Sequence, residues 1–153
     1  MAMALQVLIV GHVLLGLMAT ITGAAAMLSP KRAGRHPRRG LFYLAGLTGV
    51  ALTGSVIAMS DWTHLWHLAT LGAAAAALAA MGFAARRTRW RGWLAWHIVG
   101  MGGSYIAMLT AFYVDNGPRL PLWQLLPPVT FWFLPAIVGL PLIAFSLRRY
   151  VRT

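Results

Sequence analysis

The chain has 153 residues, of which 59% are hydrophobic and 10% charged, and it carries a formal net charge of +11. Two acidic residues cannot help cover a water-facing surface, since a soluble domain carries about 25% charged residues. The length allows one domain, and the absence of cysteine excludes disulfides, thiolate sites and iron–sulfur clusters. The basic residues lie in short clusters between long apolar runs. That pattern suits anionic lipid and topology selection, not nucleic acid.

A crossing of about 30 Å of hydrocarbon needs about 20 mostly apolar residues. Five segments qualify, running from about Ala4 to Leu28, Leu41 to Met59, Trp62 to Ala85, Gly92 to Val114 and Val129 to Leu147. None contains lysine, arginine, aspartate or glutamate. Lipid offers no partner to free backbone groups, so each must be helical. A barrel would need shorter, alternating segments. The expected fold class is therefore all-α, a polytopic membrane helix bundle in a single integral membrane domain. The first segment has no basic residue before it and is longer than a signal-peptide core, so it reads as a retained helix.

Orientation follows from the basic residues. Lys31, Arg32, Arg35, Arg38 and Arg39 follow the first segment. Arg86, Arg87, Arg89 and Arg91 follow the third, and Arg148, Arg149 and Arg152 end the chain. These stretches share one side only if there are five spans. Basic loops stay in the cytoplasm, which puts the N-terminus outside and the C-terminus inside. Asp115 to Pro128 then forms an outer loop, with a turn at Asn116-Gly117-Pro118 and Trp123 at headgroup level. Pro135 and Pro141 are expected to bend the fifth helix, since each removes a backbone donor.

Small residues mark the second, third and fourth segments, notably Gly46, Gly49, Gly54, Gly72, Gly100, Gly102 and Gly103. They allow close helix packing or make room for a flat cofactor, and glycine alone does not separate the two. No internal repeat supports an inverted-repeat transporter.

Ionisable groups within a span are functional candidates by default, and here they are histidines. At about 1.5 Å per residue, His12 lies on the order of 10 Å below the outer edge. His64 and His67 share one face at the outer end of the third helix. His97 lies near the inner edge, and His36 in the first cytoplasmic loop. His12 and His97 are thus expected at different heights, whereas His12 and His67 share an outer layer. Imidazole is a common metal and haem ligand. His12, His67 and, in the inner layer, His97 are the candidate cofactor ligands, with haem b as the group. His12, His64, His67 and Asp115 form the candidate set for a zinc or copper ion. The competing reading is structural: His12 hydrogen-bonds across helices while His64 and His97 sit wet at the interfaces. Trp90, Trp93 and Trp96 read as an aromatic belt, with haem stacking as the alternative. Tyr105, near mid-membrane, needs a hydrogen-bond partner. Asp115 is expected to pair with Arg119 or to be solvated.

The run His36-Pro37-Arg38-Arg39-Gly40-Leu41-Phe42-Tyr43 resembles the His-Arg-x-x-Gly-x-x-Tyr signature of a family of small bacterial membrane proteins of unknown function. It departs at Pro37, which separates the histidine from the arginines. The stretch from Gly102 to Asn116 also looks like one found in such families, and an intramembrane histidine opens the first helix there as His12 does here. The resemblance spans about Gly11 to Trp123 and implies a bacterial inner-membrane protein. It brings no catalytic residue.

Three functions are weighed. A redox protein would bind b-type haem through His12 and His67. A non-enzymatic module would act as a subunit or small-molecule sensor, with a homo-oligomer or a membrane protein as partner. A carrier is disfavoured, because no acidic residue lies at mid-membrane. A hydrolase lacks a serine–histidine–acid set at plausible depth.

Overall fold

A computed structural model describes residues 2–31 and 34–151. Arg32 and Arg152, counted above among the basic clusters, lie outside the described residues. The five long helices are α1 (Ala2–Leu28), α2 (Arg35–Ser60), α3 (Trp62–Thr88), α4 (Trp93–Asn116) and α5 (Thr130–Tyr150). Two 3₁₀ turns, Gly117–Arg119 and Trp123–Leu125, lie between α4 and α5. All five helices are long and apolar enough to cross a membrane, and no strand occurs among the described residues. The chain divides into two compact units, Met1–Gly72 and Ala73–Thr153, with α3 running through both.

One boundary differs by more than a turn from the sequence expectation. α2 begins at Arg35, not Leu41, so His36 and three arginines belong to a helix and not to a loop. Pro37 sits in the first turn, where a missing N–H costs no helical hydrogen bond. Gly34 takes a φ of 102° immediately before it, a conformation glycine reaches without a Cβ clash. The apolar run thus does not limit the helix; the basic end continues it beyond that run. Pro135 and Pro141 both lie inside a continuous α5.

In the first unit α1 and α2 are antiparallel, and their contacts run in opposite order along the two helices. A Cβ built on Gly46 would lie 3.1 Å from Ala19 Cβ, and one on Gly49 would lie 2.8 Å from the Leu15 side chain. Asp61 alone links α2 to α3, and a Cβ on Gly72 would meet Ala51 Cα at 4.0 Å.

In the second unit α3 and α4 approach backbone to backbone. A Cβ at Gly100 would lie 2.6 Å from Leu78 O and 2.7 Å from Gly82 Cα. Ala75, Ala79, Gly82 and Ala85 form the buried stripe of α3, at the i, i+4, i+7 spacing that puts residues on one face. α5 packs antiparallel on α4 through Gly139 against Ile106 and Gly102 against Ile143. Phe131, fully buried, closes over Gly117. The opposite face of α5 exposes Ile137, Val138, Leu140, Leu142 and Phe145, a surface that lipid solvates at no cost. Packing is thus the role of these glycines.

Gly100→Ala is expected to lower the melting temperature in detergent, at a cost on the order of 1–3 kcal/mol from overpacking. Gly11 and Gly40 have nothing within 4 Å of a built Cβ. Alanine there should leave stability level or raise it by up to about 1 kcal/mol through helix propensity. A Gly100→Ala protein as stable as its parent would place α3 and α4 further apart.

Candidate functional site

His12 on α1 meets α2 at Thr53, with Nδ1 and Oγ1 2.8 Å apart. The same Thr53 hydroxyl donates to Gly49 O at 2.7 Å. A hydroxyl has one proton and a carbonyl only accepts. Both contacts are satisfied together only if His12 donates Nδ1–H to Thr53. The neutral ring then holds its lone pair on Nε2, the tautomer in which a histidine ligates metal through Nε2. Gly54 gives the ring room: a Cβ there would sit 3.1 Å from His12 Cε1.

The tight α2–α3 turn sets the height of His67. The register that brings Ala51 opposite Gly72 puts Thr53 level with Thr70. His67 lies three residues nearer the turn, about 4.5 Å along the axis at about 1.5 Å per residue. His12 and His67 therefore lie within one helical turn of each other in height, as the sequence expectation has it. The His67 ring stands edge-on to Trp66, with centroids 6.0 Å apart.

His64 is engaged elsewhere. Its Nδ1 lies 2.8 Å from Asp61 Oδ1 in the exposed α2–α3 turn, and Thr63 donates to the same oxygen at 3.1 Å. The His64 hydrogen bond, with help from Thr63, holds the Asp61 carboxyl below the usual aspartate range. Asp115 accepts from Asn116 Nδ2 at 3.2 Å. Of the two expectations for Asp115, pairing with Arg119 or solvation, no ion pair to Arg119 is formed among the described residues. No group of three or more histidine, aspartate or glutamate side chains is placed to hold a metal ion among the described residues. His12, His64 and His67, the members of the candidate set in the first unit, are thus not gathered as a metal-binding group.

The other two histidines also donate from Nδ1, because their acceptors are carbonyls. His97 on α4 reaches Gly82 O of α3 at 2.9 Å, so it crosses between helices where the sequence left it wet or ligating. His36, in the first turn of α2, reaches Ala26 O at 2.9 Å. Arg39 Nη1 donates beside it to Ala25 O at 3.1 Å and Ser29 Oγ at 2.7 Å. The last carbonyls of α1 have no intrahelical donor, and these cationic and imidazole donors supply one. In the signature-like run, His36 and Arg39 tie α2 to α1, and Tyr43 is buried one turn further on.

Thr53 and Ser29 escape a reading of the sequence, because their roles depend on which residue of another helix stands opposite. Of the tryptophans, Trp123 packs edge-on against Tyr113 at 5.6 Å, and Trp93 lies under the Arg89 guanidinium at 5.8 Å. No family model, curated protein or solved structure matches the chain.

Thr53→Val keeps the shape and removes the hydroxyl. Interhelical hydrogen bonds in membrane proteins average about 0.6 kcal/mol in double-mutant cycles, and a cycle with His12→Ala, read from thermal unfolding, should return a coupling of that size. Zero coupling would remove the bond.

The carboxyls can be followed by ¹³C-aspartate labelling, which yields two resonances because the chain has two acidic residues. Asp61 should titrate below Asp in model peptides, and His64→Ala should move its midpoint upward. The sign follows from the depressed folded value: the contact contributes above the ordinary aspartate range and is lost as pH falls through Asp61's own midpoint. A midpoint unmoved by His64→Ala contradicts the assignment.

Proposed function

We propose that the chain is a bacterial inner-membrane redox module that binds b-type haem through His12 and His67, with its basic stretches in the cytoplasm. One observation carries the reading: the His12 ring is held by Thr53 in the tautomer that keeps its lone pair on Nε2, within a helical turn of the height of His67. Ligand demand favours haem over zinc in this reading. A structural zinc ion asks four protein ligands to converge, and no trio converges among the described residues. Haem brings four nitrogens of its own and asks the protein for one or two axial ligands. His97, turned to Gly82 O, is then a packing residue. The His36–Tyr43 run supports membership of the small-membrane-protein family it resembles.

The test is an absorption spectrum of detergent-purified protein, oxidised and then dithionite-reduced, from cells supplied with haem precursor. A Soret peak with sharpened reduced bands is expected. It should be lost in His12→Ala and His67→Ala and retained in His64→Ala and His97→Ala. A featureless spectrum overturns the reading.

A second reading has its own observation. His12, His36 and His97 each use Nδ1 to join two helices, which is what histidines do in a non-enzymatic module serving as subunit or sensor. In that case the wild-type spectrum is blank, and His12→Ala lowers only thermal stability.

A further inference from the structure

The first turns of α2 carry an open cleft of about 310 Å³ lined by Arg35, Arg38, Arg39 and Phe42. The three arginines are at i, i+3 and i+4, so they share one face, and Phe42 lies one turn further toward the apolar part of the helix. No acid balances them. The acidic residue of this unit, Asp61, is at the other end of α2, about 39 Å along the axis at about 1.5 Å per residue. Arg39 is pre-oriented, because Nη1 is spent on Ala25 O and Ser29 Oγ; its Nε–H and Nη2 donors have no protein acceptor among the described residues. Arg35 and Arg38 are exposed and form no ion pair among the described residues. Phe42 is 48% exposed below them.

We propose that this cleft is a specific site for an anionic phospholipid. Its phosphodiester would be held by the three guanidiniums and its acyl chain would pack against Phe42. Guanidinium groups match phosphate with paired, charge-assisted hydrogen bonds, and basic pockets at helix ends take lipid headgroups. The aromatic ring directly beneath the cations is what distinguishes an amphiphile from free phosphate.

The chain contains an internal control. A second cleft, of about 260 Å³, has the same make-up, Phe83 with Arg86, Arg87 and Arg89. That cleft sits at the C-terminal end of α3, where the carbonyl ends repel an anion, whereas the α2 cleft sits at a helix N-terminus, where the dipole attracts one. Equal arginine counts should therefore give unequal phosphate affinity, with the α2 cleft the tighter.

Native mass spectrometry of the full chain can read this directly, after exchange into detergent doped with dioleoylphosphatidylglycerol or dioleoylphosphatidylcholine. Wild type should retain one phosphatidylglycerol in preference to phosphatidylcholine. Arg35→Gln with Arg38→Gln should weaken that retention about thirtyfold, given about 1 kcal/mol per basic residue. Arg86→Gln with Arg87→Gln should leave it within about twofold. Arg39 stays in place, since it ties α2 to α1, and thermal unfolding of each variant checks that the fold is intact. Equal losses in both double variants would reduce the effect to general charge and overturn the site. So would undiminished retention in the α2 variant, or displacement of the lipid by soluble glycerol phosphate at the same concentration.

Discussion

A polar group in hydrocarbon has no water to turn to, and leaving it unpaired costs several kcal/mol. That constraint organises the buried hydroxyls and the imidazoles that cross between helices. Thr20, Thr22, Thr53, Ser55 and Thr110 return their protons to carbonyls four residues back. Among the described residues no buried side-chain nitrogen or oxygen lacks a partner. Once the hydroxyls are committed in this way they can only accept from elsewhere. Thr53 therefore accepts from His12, and the protonation of the imidazole is decided by a residue on another helix.

The same constraint explains why small residues appear where they do. Lipid tails are as apolar as leucine, so no hydrophobic force drives helices together, and contact must come from close approach and dispersion. Gly82 and Gly100 bring α3 and α4 near enough for His97 to reach the Gly82 carbonyl. Gly54 clears the His12 ring. Packing glycines and polar contacts are in this sense one device: the first makes the second reachable. The redox proposal and the structural alternative both draw on it, and they part only over whether Nε2 of His12 also serves a haem.

At the charged end, α2 continues well past the apolar core. Arg35 to Gly40 add more than a turn of helix beyond the hydrophobic limit. This places His36 and Arg39 over the last carbonyls of α1 while Arg35 and Arg38 stay exposed. One short run thus splits its cations between capping a neighbouring helix and standing exposed at the basic end of α2. That split is the basis for a lipid site more specific than net charge.

The sequence by itself determined the number, type and approximate limits of the spans. Burial in lipid demands long uncharged runs, and such runs are visible without any partner. It also put His12 and His67 near one height, since helical rise converts residue number into height. What it could not hold was anything that depends on azimuth or on register between helices. That Thr53 faces His12, that Gly82 faces His97, and that Asp115 turns to Asn116 instead of Arg119 were decided only by tertiary structure. Side chains on different helices meet according to how backbones rotate and slide against each other. That choice is made by the summed fit of many small residues, none of which carries the answer alone.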